Sequence, residues 1–179
     1  MAGSKSAKAE LSRPPGKEAA QPRITVLGIG NLLLRDEGVG IHLIQRLADK
    51  VNSPNIKLID GGTTPDILSL VDNNIDKLII IDAAVVGDKP GTIYRFDIDD
   101  LDPGEPSPMS LHELGLVNSL KIMNLFGNCP KEVTIIGVEP KVVDYGLKLS
   151  PELEKKMPRL MELVLNEINK TNTYMEVER

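Results

Sequence analysis

The amino-acid sequence predicts an α/β protein: a three-layer sandwich in which helices flank a mostly parallel, twisted central sheet. From Arg23 onward, apolar runs that favour β-strands alternate with amphipathic segments. The run KLIIIDA at 77–83 is apolar along most of its length, as expected for a strand covered on both faces at the centre of a parallel sheet. After the first run, Val39, Leu43 and Leu47 recur at helical spacing, which predicts a helix between the first two strands.

The other elements follow from similar patterns. Pro65 suits the first position of a short helix that begins after Thr64. Ser110 and Glu113 form a capping box at the start of a later helix. The predicted strands are 24–28, 55–60, 77–83, 91–96 and 132–140. The predicted helices are 37–50, a short one from 65, 110–126 and roughly 151–170.

The chain of 179 residues corresponds to one domain and is long enough to bury an apolar core. We expect residues 1–22 to form a flexible N-terminal extension and residues 23–170 to form the single domain. Residues 171–179 are expected to be a polar C-terminal tail that frays.

Composition argues against several partners. The net charge is −5, there is no block of lysine or arginine, and aromatic residues make up 3%, so no nucleic acid partner is expected. No apolar run approaches the roughly 20 residues of a membrane helix, so no membrane partner is expected. The N-terminal residues lack the apolar core of a signal peptide, and a single cysteine is compatible with a reducing compartment. We therefore expect a cytoplasmic protein, with a monomer as the default state.

The most informative segment is GIGNLLLRDEGVG, directly after the first strand. Gly28 and Gly30 match the start of a dinucleotide-binding fingerprint, but Leu33 stands where the third glycine is needed. The start of the following helix would attract phosphate, yet Asp36 and Glu37 already occupy it. The segment therefore favours a loop that presents carboxylates to a cation, while simple helix capping by the two acids stays an alternative.

Acidic residues also follow the second and third strands, at Asp60 and Asp82. Because ligands of open α/β sheets bind beyond the carboxyl ends of the strands, these carboxylates and those of the first loop should converge on one crevice. Each acid alone is more often a turn or cap residue, but three together at successive strand ends favour a shared site. Asp82 should be the least solvated, because it ends an apolar run.

His112 lies in the first turn of the predicted helix 110–126. The helix dipole disfavours the imidazolium form there, so a neutral ring is expected. Two carboxylates and one neutral imidazole form a plausible site for a borderline divalent metal.

Two other residues are expected to be inert. His42 lies off the apolar stripe of its helix and beside Arg46, which indicates a solvated side chain. Cys129 precedes a strand, at the opposite edge from the crevice, with no histidine nearby in sequence, which indicates an unreactive thiol. The G-x-S-x-G elbow of serine hydrolases and the H-E-x-x-H motif of zinc peptidases are both absent from the sequence.

Four motifs in order resemble those of the maturation endopeptidases of NiFe hydrogenases: GIGNLLLRDEGVG, DGGT, IIIDAAVVGDKPGTI and SLHELGL. The resemblance runs from about Arg23 to Pro151. It implies a peptidase that removes the C-terminal extension of a hydrogenase large-subunit precursor, which is then its partner. It also implies that nickel already inserted in that precursor is what the peptidase recognises, with only weak or transient nickel binding by the isolated enzyme.

The resemblance assigns catalytic and nickel-associated positions to Glu37, Asp82 and His112. Asp60 matches an acid close to the cut but outside the metal set. Our hypothesis for the general base is Asp82, because a desolvated carboxylate has the raised proton affinity that this role needs. Two alternatives stay open: a nonenzymatic nickel-dependent checkpoint or chaperone that binds the precursor, and a flavin or dinucleotide module.

Overall fold

The computed structural model describes five strands and three helices that together form a single α/β unit. The described residues are 21–63, 70–72, 74–97, 111–127 and 129–177, except for the side chains of 111–117 and 171–177. The strands are Ile24–Gly28 (β1), Ile56–Asp60 (β2), Lys77–Ala83 (β3), Ile93–Asp97 (β4) and Glu132–Val138 (β5). The α-helices are Val39–Leu47 (α1), Leu111–Leu125 (α2) and Pro151–Val177 (α3).

The five strands form one sheet in the order β2-β1-β3-β5-β4. β1 pairs in parallel with β2 and β3, β3 pairs in parallel with β5, and only β4 runs antiparallel, against β5. The prediction of a mostly parallel sheet is therefore confirmed. After β1 the chain continues to β2 on one side of the sheet, and after β3 it continues to β4 and β5 on the other side. The strand order therefore reverses between β1 and β3, and the crevice of this sheet lies between their carboxyl ends.

Two apolar cores cover the two faces of the sheet, which confirms the three-layer prediction. Ile79 and Ile81 belong to the core shared with α1 and α3, whereas Leu78 and Ile80 belong to the core shared with α2. Successive side chains of a strand point to opposite faces. Every residue of β3 is buried, and this explains why its sequence is apolar without alternation.

Some bounds differ from the predictions. The α-helix after β1 begins at Val39, and the acidic pair before it lies in a separate 3-10 helix, Arg35–Gly38. α3 continues to Val177, beyond the predicted end near 170, because residues 171–177 contain no proline or glycine. The short helix predicted from Pro65 and the extension up to residue 20 lie outside the described residues. Within the described part of the chain, no helix is both long and apolar enough to cross a bilayer.

A buried ion cluster fastens α3 to the amino end of β3. Lys77 is fully buried, and its Nζ donates hydrogen bonds to Glu132 at 2.6 Å and Glu167 at 3.0 Å. Burial raises the pKa of Glu167, but hydrogen bonds from Lys170, Lys77 and Arg95 outweigh this effect and lower the pKa to about 2. The cluster lies at the edge of the sheet opposite the crevice, so its role is structural.

Candidate active site

Two glycines allow the segment after β1 to pack closely against the strand ends. Gly30 has a φ of 137°, and a Cβ added there would lie 1.9 Å from the carbonyl oxygen of Glu37. A Cβ at Gly40 would lie 2.3 Å from the carbonyl oxygen of Ile81 in β3. Only glycine fits at either position. The 3-10 helix that carries Glu37 is thereby held against β3 at the crevice.

The two neighbouring acids of this segment have different roles. Asp36 is fully buried, and its carboxylate accepts three backbone N–H hydrogen bonds from the loop after β5. The donors are Lys141 at 3.0 Å, Val142 at 2.9 Å and Ser150 at 2.6 Å. Neither the 3-10 helix nor α1 has a side-chain cap hydrogen bond, and the carboxylate of Asp36 is bonded to a distant loop, so the capping alternative is wrong for Asp36. The expectation that Asp36 faces the crevice is also wrong, because its carboxylate is used to hold a distant loop.

Glu37 is the acid that this arrangement leaves at the crevice. It is partly exposed, although its Oε2 atom is buried. Its backbone N–H donates to the carbonyl of Leu34 at 3.3 Å within the tight 3-10 turn. The residue before the pair, Arg35, has a positive φ of 52°, which is uncommon for a side chain other than glycine. Such a sharp turn explains how adjacent residues can send one carboxylate inward and keep the other near the strand ends.

Asp82 occupies the carboxyl end of β3, one residue beyond the strand position packed against Gly40. It is only 2% exposed, which confirms the expectation that it is poorly solvated. Its Oδ1 accepts the N–H of Ala83 at 2.8 Å, so one oxygen of the carboxylate is oriented by the backbone. The structure thus places the 3-10 helix of Glu37 beside the carboxyl end of β3, which carries Asp82, at the β1–β3 crevice.

His112 is the second residue of α2, and its side chain lies outside the described residues. α2 ends close to the loop that enters β5 at its amino end, so the helix runs back along the sheet. Its 15 residues span about 22 Å, a length comparable to that of the seven-residue strands β3 and β5. Among the described residues, which do not include the side chain of His112, no group of three or more His, Cys, Asp or Glu side chains is suited to a metal.

The chain matches proteins of known class over most of its length. The family model described as "Hydrogenase maturation protease" matches residues 41–167, well over half of the chain. This chain belongs to the hydrogenase maturation protease family. As a member of that family it is a hydrolase of the peptidase class.

Individual relatives of the family agree in sequence and in structure. The hydrogenase expression/formation protein HupD of Thiocapsa roseopersicina is 36% identical over 82% of this chain and 67% of its own length. The hydrogenase 2 maturation protease of Escherichia coli is 34% identical over 80% of this chain and 88% of its own length. The solved structure of the hydrogenase maturating endopeptidase HybD from E. coli has a TM-score of 0.73 and 31% identity, covering 83% of this chain and 93% of that one.

Other acids of this maturation protease shape the turns around the crevice. Asp60, at the end of β2, is exposed, and its Oδ1 accepts the N–H of Gly62 at 2.9 Å. The same turn is joined to the glycine loop by hydrogen bonds from Gly61 to Gly28 and from Gly30 to Gly62. Asp60 therefore stabilises the turn next to the crevice.

Glu139 is a buried acid that the sequence analysis missed. It follows β5 directly and is 4% exposed. Its carboxylate accepts N–H groups of Val86 at 2.8 Å and Gly87 at 3.2 Å, and the hydroxyl of Tyr94 at 3.1 Å. Burial raises its pKa, but these hydrogen bonds outweigh burial and lower it. Its position after an apolar strand, like that of Asp82, was the signal that could have identified it.

The two residues expected to be inert differ in outcome. Cys129 lies before the amino end of β5, opposite the crevice, and burial raises the pKa of its thiol, which agrees with an unreactive group. His42 is not solvated as expected: it is only partly exposed, and its Nε2 atom is buried. Burial and the nearby Arg46 guanidinium lower its pKa, because residues 147–149 fold over this side of α1 and line a cavity of about 430 Å³ with it.

Proposed function

We propose that this maturation protease removes the C-terminal extension of a NiFe-hydrogenase large-subunit precursor after nickel insertion. In this proposal, Glu37, Asp82 and His112 recognise the nickel ion carried by the substrate. The observation that supports it is the presence of two carboxylates, Glu37 and Asp82, at the β1–β3 crevice of a chain from this family.

The chemistry of the donors fits a substrate-borne divalent ion. Carboxylate oxygens and an imidazole nitrogen are suitable ligands for a borderline metal such as nickel. A cation delivered by the substrate would be attracted by the negative charge of the two carboxylates. A metal held partly by the precursor would also position the precursor's peptide bond next to the peptidase carboxylates.

Asp82 acts as the general base in this proposal, which makes the enzyme a carboxylate-dependent, aspartyl-type peptidase. The carboxylate of Asp82 takes a proton from water as the water oxygen attacks the scissile carbonyl carbon. The proton then passes to the leaving amine nitrogen as the C–N bond breaks. The backbone N–H of Ala83 orients the carboxylate for this transfer, and burial keeps competing water away.

Cleavage of a nickel-loaded precursor tests the proposal, with the released C-terminal peptide detected by mass spectrometry. Asp82→Asn should lower the cleavage rate at least ~100-fold, since a general base contributes about 10²–10⁴. The control is Asp49→Asn, the same chemical change at an exposed position after α1, which should cleave at the wild-type rate. A precursor without nickel should not be cleaved.

Each component of the proposal has its own contrary result. Wild-type cleavage by Asp82→Asn would exclude Asp82 as the base. Equal cleavage of nickel-free and nickel-loaded precursor would exclude nickel recognition. Nickel-dependent binding without release of any peptide would favour the nonenzymatic checkpoint instead.

A further inference from the structure

Large apolar side chains are concentrated around the proposed active-site edge. Among the described residues, six of the nine exposed large hydrophobic residues lie in loops that follow β1, β3 or β5. These six are Leu33, Val85, Val86, Val143, Tyr145 and Leu147. A patch of several exposed apolar side chains is typical of an interaction site, whereas single exposed apolar residues are ordinary protein surface.

Four of these residues belong to two loops that are joined into one unit. Gly146 donates its N–H to the carbonyl of Leu33 at 2.9 Å, and Arg35 donates to the carbonyl of Gly146 at 3.0 Å. The parallel backbone bridge pairs Leu34 with Gly146, so Leu33 lies beside Tyr145, and Leu147 follows two residues later in the same loop. We call Leu33, Val143, Tyr145 and Leu147 the apolar rim.

The apolar rim is held in place even though its side chains are exposed. Leu33 is 60% exposed, Tyr145 85% and Leu147 67%. Beneath them, the buried carboxylate of Asp36 ties the first loop to the backbone of the second at three positions. A surface fixed in advance binds a partner with a smaller loss of conformational entropy.

We infer that the apolar rim is the docking surface for an apolar segment of the precursor polypeptide, next to the bond that is cut. This inference rests on the proposed function. The segment that carries Leu33 continues within one turn to Glu37, so the rim is continuous with the crevice. A peptidase acts on a polypeptide, and a chain that reaches Glu37 and Asp82 must pass along these loops. Charges of both signs lie beside the rim, on Arg35, Lys148 and Asp144, so the four apolar side chains dominate its binding character.

The test compares two double variants on the nickel-loaded precursor. Tyr145→Ser with Leu147→Ser removes the centre of the rim. Leu125→Ser with Phe126→Ser is the matched control, because these residues are 85% and 76% exposed but lie at the end of α2, toward the opposite edge of the sheet. The rim variant should raise KM at least ~10-fold with kcat unchanged. This is expected because the rim contacts would be made equally in the bound substrate and in the transition state. The control should keep the wild-type KM, and both variants should keep the wild-type unfolding temperature.

A KM for the rim variant within about twofold of wild type would overturn the inference. The affinity for the precursor, measured in an Asp82→Asn background with and without the rim substitutions, separates docking from catalysis. If wild type does not cleave but the rim substitutions weaken this affinity at least ~10-fold, docking is supported and the proposed cleavage fails. If wild type cleaves but the affinity is unchanged, docking fails and the proposed function stands. A wild-type dimer that the rim substitutions convert to a monomer, with KM unchanged, would identify the rim as a contact between copies of this chain.

Discussion

Replacing Asp36 by alanine should uncouple the two loops that border the active site. The carboxylate is fully buried and accepts three backbone N–H groups, one of them the buried N–H of Ser150. A hydrogen bond to a charged group contributes about 1.5–3 kcal/mol, and a buried donor left without a partner carries its full desolvation cost. Water can reach the donors of Lys141 and Val142 in part, so the three losses are not fully additive. We expect Asp36→Ala to lower the free energy of unfolding by about 4 kcal/mol.

That loss is a large share of the 5–15 kcal/mol typical of a folded domain, and corresponds to a fall of about 8–16 °C in the unfolding temperature. Asp36→Asn keeps one acceptor oxygen, so its free energy of unfolding should fall by about half as much as that of Asp36→Ala. The matched control is Asp144→Asn, where an exposed carboxylate in the same loop accepts a single N–H from Tyr145 at 2.7 Å. Urea unfolding followed by circular dichroism measures all three variants. A loss below about 1 kcal/mol for Asp36→Ala, or one equal to that of Asp144→Asn, would refute the reasoning.

Two further predictions concern how the core supports the site. Gly40→Ala would place a Cβ 2.3 Å from the carbonyl oxygen of Ile81. We expect it to lower the free energy of unfolding by about 3 kcal/mol and to slow cleavage, because the segment of Glu37 is displaced. An unchanged unfolding temperature would contradict this prediction. Glu167 has a folded pKa lowered from 4.5 to about 2, so its stabilising effect is complete above pH 4.5 and is lost as the pH falls toward 2. In urea titrations, the difference in free energy of unfolding between wild type and Glu167→Gln should therefore shrink as the pH falls from 4.5 toward 2. A difference that does not change with pH would show that the ionisation of Glu167 is not its cause.

The sequence was sufficient to predict the layers and the edge of the sheet at which Asp82 lies. The uninterrupted apolar run of β3 identified a central strand, since only a strand covered on both faces lacks alternation. Asp82 could be placed at the crevice because a residue's position at the end of a strand is local information, and parallel strands present their carboxyl ends at one edge. The antiparallel direction of β4 was not predicted, because pairing with β5 depends on a segment about 40 residues away in the chain.

The roles of neighbouring acids could be decided only by tertiary structure. Asp36 and Glu37 are adjacent and chemically alike, and both suited a cap, a turn or a ligand when judged from local pattern. The backbone donors that bury Asp36 lie 105, 106 and 114 residues away, so no local pattern could identify them. The hydrogen bonds of Glu139 also come from donors 45 to 53 residues away, although its position after an apolar strand could have marked it as a candidate. The sequence by itself thus determined the fold class and placed acids at the strand ends, while long-range hydrogen bonds decided that Asp36 holds two loops together.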